Sequence, residues 1–333
     1  MAPPPTRAEG EGKRQTSKSI HRPEVPDYSG LLEPILPVLE ASQVQLRPGP
    51  PPSTATIFSS DKVAAIRIRH HVQSVGVIIL KPEYAAYVNW VGTPDGRING
   101  VAARPNVLHS QGAQDGFHAR GGPRRSLGIV VRRDELIDTL AALRGVGPED
   151  VSLNRSTLEL SPQDATRFQT SLIGLLTNAA KPGSGGSPHA RSPDVGEAIF
   201  GLLVDAELHA QPELKRRGWR RPQEQIVRQA EERYFAAQGA RVSLADLCAA
   251  ARVSQAALYR AFHHVCGEAP LAYFQKRRLT SAQRQLVLSL PERGAVKRAA
   301  LDVGLTELGR FSAEYRRLFG EPPSATLSKV PKL

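Results

Sequence analysis

Four residues on one short segment have the types that can meet the edges of DNA bases. Gln255, Ala256, Tyr259 and Arg260 fall on one side of a stretch whose other side carries Leu258, Ala261, Phe262 and Val265. An exposed arginine there can donate two hydrogen bonds to the O6 and N7 of guanine, and an alanine is short enough to approach a thymine methyl. Gln255 can contact a base or a phosphate. The early turns of a recognition helix are the ones that meet base edges in the major groove. A second segment repeats the pattern. Gly309, Arg310, Ser312 and Ala313 lie opposite Phe311, Tyr315, Leu318 and Phe319, which makes Arg310 the counterpart of Arg260. Ser254, Lys276, Arg277, Arg278, Arg316 and Arg317 are placed for phosphates rather than bases. Arg260 alone decides nothing, because a solvated surface arginine has the same type; the surrounding elements decide.

Other chemistry finds little support. The two cysteines, Cys248 and Cys266, exclude a disulfide framework, and no Cys/His cluster has zinc spacing. Cys248 falls on an apolar stripe. Cys266 falls at a helix C-terminus, whereas low thiol pKa values favour N-termini. No Ser/His/Asp constellation has readable spacing. The glycines of residues 181–193 lack a phosphate-loop lysine. The expectation is no catalytic centre, no cofactor and no metal.

The elements that would position the base-reading residues are legible. A helix is predicted over Gln223–Ala237. Ser243 with Asp246 three residues on forms an approximate capping box. Leu244, Leu247, Cys248 and Ala251 make the stripe of a helix ending near Ala251. Val253 enters the core and Ser254 caps the next helix. Two short helices with so tight a turn form a helix-turn-helix. Pro270 opens a long helix with Leu271, Phe274, Leu279, Leu286 and Leu290 on its buried side. A second unit spans Ala295–Leu327. Val296, Ala299 and Ala300 line one helix, Gly304 supplies the turn, and another helix runs over Thr306–Phe319. Gly320 is its left-handed cap, and Pro322–Pro323 is expected to prevent a restart.

The charge is concentrated in this region. Residues 212–333 hold 22 Lys+Arg against 11 Asp+Glu, a net of +11, while residues 1–211 hold 22 against 21. Nearly all of the chain's +12 therefore sits in its last third, a field that attracts a polyanion.

The remainder reads as an α+β arrangement. Residues 1–27 are expected to be a disordered arm and residues 28–210 a β-rich effector and dimerisation domain ending in helices. Residues 211–222 are a linker, 223–327 the DNA-binding domain, and 328–333 a tail. Ile66–His70, Ser74–Leu80, Tyr84–Trp90 and Arg125–Val131 have strand patterns, with turns at Asp95-Gly96 and Asn99-Gly100. Short strands with frequent turns suggest a small barrel or sandwich. Helices follow at Arg133–Leu143, from Ser161 as N-cap, and at Asp194–Ala210, with residues 181–193 as a flexible connector. Arg67, Arg69, Tyr84, Tyr87 and Trp90 could line an effector pocket whose residues the pattern leaves open. No apolar run approaches the ~18 residues of a membrane helix, and the first residues lack the apolar core of a secretory signal. A cytoplasmic protein is expected.

The C-terminal residues resemble the DNA-binding domain of the AraC/XylS family of bacterial transcription regulators. LADLCAAARVSQAALYRAFHHVCGEAPLAYFQKRRL and DVGLTELGRFSAEYRRLFGEPPSATL carry the likeness. The segment LGRFSAEYRRLFGEPPS is similar to the branch that includes the ethanolamine-responsive regulator. The resemblance covers about a third of the chain. It implies two recognition helices in successive major grooves of promoter DNA, RNA polymerase as a further partner, and activation or, in some members, repression. It also implies a cupin-like N-terminal sensor for an unknown small molecule, and a homodimer. His70, His71, His109 and His118 do not follow the cupin metal pattern of His-x-His then Glu. Arg252 stands where the family usually has glycine, and Gly304-Leu305-Thr306 where it more often has Gly-Phe. DNA-repair proteins with an AraC-type domain and an alkyl-accepting thiolate are one alternative, and a non-specific nucleoid binder is another.

Overall fold

The structure is a computed structural model that describes residues 18–25, 39–49, 53–92, 95–111, 117–180, 195–211, 222–237, 240 and 242–329. Twelve strands and ten α-helices are assigned among them.

The N-terminal half contains β1 (Lys18–Val25), β2 (Leu39–Gln45), β3 (Ser53–Ser59), β4 (Val63–His70), β5 (Ser74–Leu80) and β6 (Tyr84–Val91). It continues with β7 (Arg97–Ile98), β8 (Val101–Ala102), β9 (Val107–Gln111), β10 (Phe117–Gly121) and β11 (Arg124–Arg132). Then come α1 (Arg133–Arg144), β12 (Thr157–Glu159), α2 (Pro162–Ala179) and α3 (Val195–His209). A seven-stranded sheet has the order β1-β3-β4-β11-β6-β9-β12 and a five-stranded sheet the order β2-β5-β10-β7-β8. The pairings are antiparallel. The expected β-rich domain ending in helices is present.

Strand alternation explains the layering. On β4, Ala64, Ile66 and Ile68 face the second sheet, with Leu80, Trp90 and Ile98. Val63 and Ala65 face the other way, onto α1, α2 and α3 through Leu136, Leu140, Phe168, Leu172 and Leu203. The central strands of the seven-stranded sheet are covered on both faces, so Val63–Ile66, Ala85–Tyr87 and Ile129–Val131 are buried without a break. The outer face of the five-stranded sheet offers Val44 and Val75, and these join the core of the first C-terminal unit.

Two expectations about the N-terminus need revision. Lys18–Val25 forms a strand paired with β3, inside the segment expected to be a disordered arm. β2 was not foreseen either: LEASQVQ mixes polar and apolar residues, because one of its faces meets the opposite sheet and the other meets a different domain. The rest of the arm, the connector of residues 181–193 and most of the linker (212–221) lie outside the described residues, as do residues 330–333 of the tail.

The C-terminal domain contains α4 (Pro222–Ala236), α5 (Leu244–Ala251), α6 (Gln255–Val265), α7 (Pro270–Leu288), α8 (Ala295–Asp302), α9 (Leu308–Phe319) and α10 (Pro323–Ser328). One core gathers α4–α6 around Leu258, Phe262, Tyr273 and Phe274. The other gathers α8–α10 around Leu279, Leu286, Phe311 and Tyr315. α7 thus supplies its first half to one core and its second half to the other. Leu271 and Leu290, expected on its buried side, are exposed; Leu290 lies beyond the end of the helix. Pro322–Pro323 does not stop the chain from re-entering a helix. Pro323 is the first residue of α10, the position where a missing N–H costs nothing.

Candidate nucleic-acid interface

The first unit is fixed by side-chain caps. Ser243 Oγ accepts from the Asp246 N–H at 3.1 Å, and the Ser243 N–H donates to Asp246 Oδ2 at 2.8 Å, the two halves of a capping box. α5 ends on Arg252 in the left-handed region, φ 53. The family's glycine position has therefore kept its conformation with a side chain in place, at a cost of roughly 1 kcal/mol. Ser254 Oγ then accepts from the Ala257 N–H at 3.3 Å and starts α6.

Burial of Leu258 and Phe262, both at 0% exposure, sets the rotation of α6. Gln255, Ala256 and Arg260 are exposed as the stripe predicted, and Tyr259 is half-buried. In the second unit Gly304 takes φ 75. Phe311, Tyr315, Leu318 and Phe319 are buried, and Gly309, Arg310, Ala313, Arg316 and Arg317 are exposed. Here the cap is missing: Glu307 makes no side-chain cap bond. Arg310 Nε donates to Glu314 Oε1 at 2.9 Å, and Glu314 Oε2 accepts from Gln275 of α7 at 2.5 Å. Arg310 thus has a partner that it must leave before meeting a base.

The basic cluster of α7 is not a free surface. Arg277 is 4% exposed and donates to Glu231 Oε1 at 2.8 Å and to Ser42 Oγ of β2 at 2.9 Å. A phosphate cannot reach it, so Arg277 is not the phosphate contact that its sequence position suggests. Lys276 is half-buried and donates to Glu268 Oε1 and to the Leu46 carbonyl, both at 2.8 Å. Arg278 donates to Tyr234 Oη at 3.2 Å. The face of α7 that carries these groups is turned toward the β domain and α4, which the sequence of α7 alone cannot show.

Glu231 is the hub of this region. Its carboxylate accepts from Tyr273 Oη at 2.5 Å, from Arg277, and from His118 Nε2 of β10 at 3.1 Å. Burial would raise its pKa, but the Arg277 guanidinium and His118 outweigh that and hold it at about 2. Beside it, Gln45 of β2 donates to the Leu318 carbonyl at 2.9 Å, and its backbone N–H reaches Thr280 Oγ1 at 3.4 Å. Arg47 Nη1 reaches Glu268 Oε1 at 2.7 Å. These residues hold the two domains together. Their partners lie 42 to 273 positions apart, and only the buried polar types hinted at them.

The remaining candidates disperse. Cys266 is fully buried, and burial followed by the nearby Glu231 pushes its thiol pKa up. Cys248 is half-buried against the first core. Among the described residues no group of three His, Cys, Asp or Glu could hold a metal ion. Burial, with Arg104 nearby, lowers His109 to about 4, and burial with Arg124 lowers His70. Of the suggested pocket residues, Tyr87 is buried under α3 and donates to Glu207 at 2.6 Å. Arg67 reaches Thr177 on α2, Trp90 stacks on Arg124 inside the sandwich, and Tyr84 packs against the inter-sheet core. Arg69 lines a cleft. No helix among the described residues is long and apolar enough to cross a membrane.

Residues 247–329 match a family described as a helix-turn-helix domain. The chain is 37% identical over 87 residues to the XylDLEGF operon transcriptional activator 2 of Pseudomonas putida, covering 26% of this chain and 55% of that one. It is 27% identical to a probable thc operon regulatory protein of Rhodococcus erythropolis over 63% of each. It is 32% identical to a solved probable AraC family transcriptional regulator from Rhodopseudomonas palustris, over 32% of this chain and 98% of that one, with a TM-score of 0.28. The chain spans about half the length, or less, of the Pseudomonas activators it matches. Two helix pairs on one shared helix, the first capped by side chains and the second not, agree with these matches, which place the chain in the AraC/XylS family of regulators.

Proposed function

We propose that the protein is a sequence-specific regulator of transcription that binds double-stranded promoter DNA through α6 and α9. The observation that carries this is the pair of exposed early helix turns, Gln255–Arg260 and Gly309–Ala313, mounted on the single helix α7. Gln255, Ala256, Tyr259 and Arg260 read one half-site, and Gly309, Arg310 and Ala313 the other. Ser254, Arg316 and Arg317 contact phosphates. The protein acts in the cytoplasm as an activator, engages RNA polymerase, and is controlled by a small molecule held in the β domain, with a homodimer as a possible working form. The +11 of residues 212–333 supplies the field that draws DNA in.

It acts without enzymatic chemistry. An alkyl-accepting role needs a reactive thiolate, and the burial of Cys266 disfavours one. Selection of an operator from random duplexes, followed by footprinting, tests the reading. Protection of two half-sites on one face of the DNA is the expected result. Uniform binding to all duplexes would instead support a nucleoid binder.

A further inference from the structure

One end of the β-sandwich is unusually rich in arginine. A cleft of about 960 Å³ opens there between the β4–β5, β6–β7 and β10–β11 connections. Arg47, Arg97, Arg120 and His71 line it, with Asp95 as the one carboxylate. A neighbouring cleft of about 440 Å³ shares His71 and adds Arg69, Arg124 and Arg125. Residues 1–211 are close to neutral as a whole, so six arginines at one end form a local field, not a general surface property. The volume falls within the range of small-molecule sites.

The wall is built rather than incidental. Arg124 Nη1 donates to the carbonyls of Gly121 at 2.9 Å and Gly122 at 3.0 Å, and Nη2 to Ser74 Oγ at 3.2 Å. Its guanidinium stacks 4.0 Å from the Trp90 ring. These bonds fix the turn at residues 121–123. A β-carbon on Gly121 would come within 2.8 Å of the Trp90 ring, so the turn needs glycine. The Nε of Arg120 is buried and has no hydrogen-bond partner. A buried donor left open is unfavourable, so the Arg120 guanidinium has hydrogen-bonding capacity that its own neighbours do not fill. Guanidinium forks match carboxylate and phosphate oxygens in pairs.

We propose that this cleft binds a small molecule through a carboxylate or phosphate group held by Arg97 and Arg120, and that Arg47 and Arg120 pass its occupancy to the DNA-binding domain. This rests on the reading of the chain as a ligand-controlled regulator and names the site and the ligand class. The coupling is geometric. Arg47 lines the cleft and also reaches Glu268, in the α6–α7 connection. Arg120 lies against Gly267 of the same connection, where φ is +73 and a β-carbon would collide with its Nη1. Glu268 is in turn held by Lys276 of α7. An anion in the cleft competes with Glu268 for Arg47 and so loosens the contact at the end of α6.

Calorimetric titration of the full chain with citrate, inorganic phosphate and neutral acetamide, at constant ionic strength, tests the proposal. Saturable binding of citrate or phosphate, and none of acetamide, is expected; the stronger of the two assigns carboxylate or phosphate. Arg120→Gln and Arg97→Gln should weaken it by about tenfold or more, and Arg144→Gln, an exposed change on α1, should not. Arg97 is exposed with one bond to the Gly100 carbonyl, so its variant decides the matter if Arg120→Gln fails to fold. The bound anion should also change operator affinity in a gel shift, and Glu268→Gln should remove that change. No saturable heat with either anion, or equal binding by the cleft variants, overturns the site. Reduced DNA affinity and a flatter salt slope in Arg97→Gln without anion makes the cleft a DNA contact and overturns it too. An operator affinity that the bound anion leaves unchanged overturns the coupling. Failure of the wild type to bind any selected operator would fall on the regulator reading alone, because the calorimetry stands without DNA.

Discussion

The two helix-turn-helix units share a plan and differ in what holds them. The first has side-chain caps at Ser243 and Ser254 and packs directly on the β domain through Val44, Leu46 and Val75. The second has no side-chain cap on α8 or α9 and a core of its own. Its link to the β domain is polar, from Gln45 and Gly49 to the Leu318 carbonyl. A change in the β domain therefore acts at once on the first unit and reaches the second mainly along α7. On the proposed reading, the first unit is the regulated reader and the second follows.

The sharpest way to break this contrast is at Glu231. Glu231→Gln leaves Arg277 buried without its counter-charge, which typically costs about 3–5 kcal/mol. Urea unfolding should show that loss. Limited proteolysis should show the β domain separating from α4 and α7 before α8–α10 open. Simultaneous opening of both units would remove the distinction.

Acid tests the same division. His109, buried and lowered to about 4, contributes stability while neutral, above its unfolded pKa. That contribution is lost as pH falls from about 6.5 to about 4. Glu231, held at about 2, contributes stability above about 4.5 that is lost as pH falls toward about 2. Hydrogen exchange should therefore find β9 loosening at a higher pH than α4. The reverse order would contradict the burial of His109.

At the DNA surface the contrast is between two arginines. Arg260→Ala should weaken operator binding by about 1–3 kcal/mol, the worth of one bidentate base contact. Arg310→Ala should cost less, because Arg310 must first give up Glu314. Equal losses in a gel-shift titration would mean that the Glu314 pairing is irrelevant to binding. The backbone gives the smallest effects. Arg252→Gly should stabilise the first unit by about 1 kcal/mol, relieving the left-handed arginine. Glu307→Ser should stabilise the second by about 0.5–1 kcal/mol by supplying its missing cap. Thermal unfolding would measure both.

The helix pairs were legible because their signals are local. Leu258 and Phe262 are four positions apart, and so are Phe311 and Tyr315; Ser243, Ser254 and Gly320 mark ends within a turn. The same locality misassigned Arg277. Nothing within a helical turn of it distinguishes a phosphate-facing arginine from one that seeks Glu231 on another helix and Ser42 on another domain. β2 escaped notice for a related reason, as its two faces answer to two cores. The arginine-lined cleft is assembled from turns spread over residues 47–125, with no spacing that would announce it.

A helix that belongs to two cores has a consequence for the operator. α7 is 19 residues long, and its ends cannot rotate independently without opening one core or the other. On the proposed reading, the two half-sites must then present their grooves at a fixed phase around the DNA axis. Lengthening the spacer by half a helical turn, about 5 base pairs, would put one half-site on the far side of the duplex, and the protein could read only one of the two.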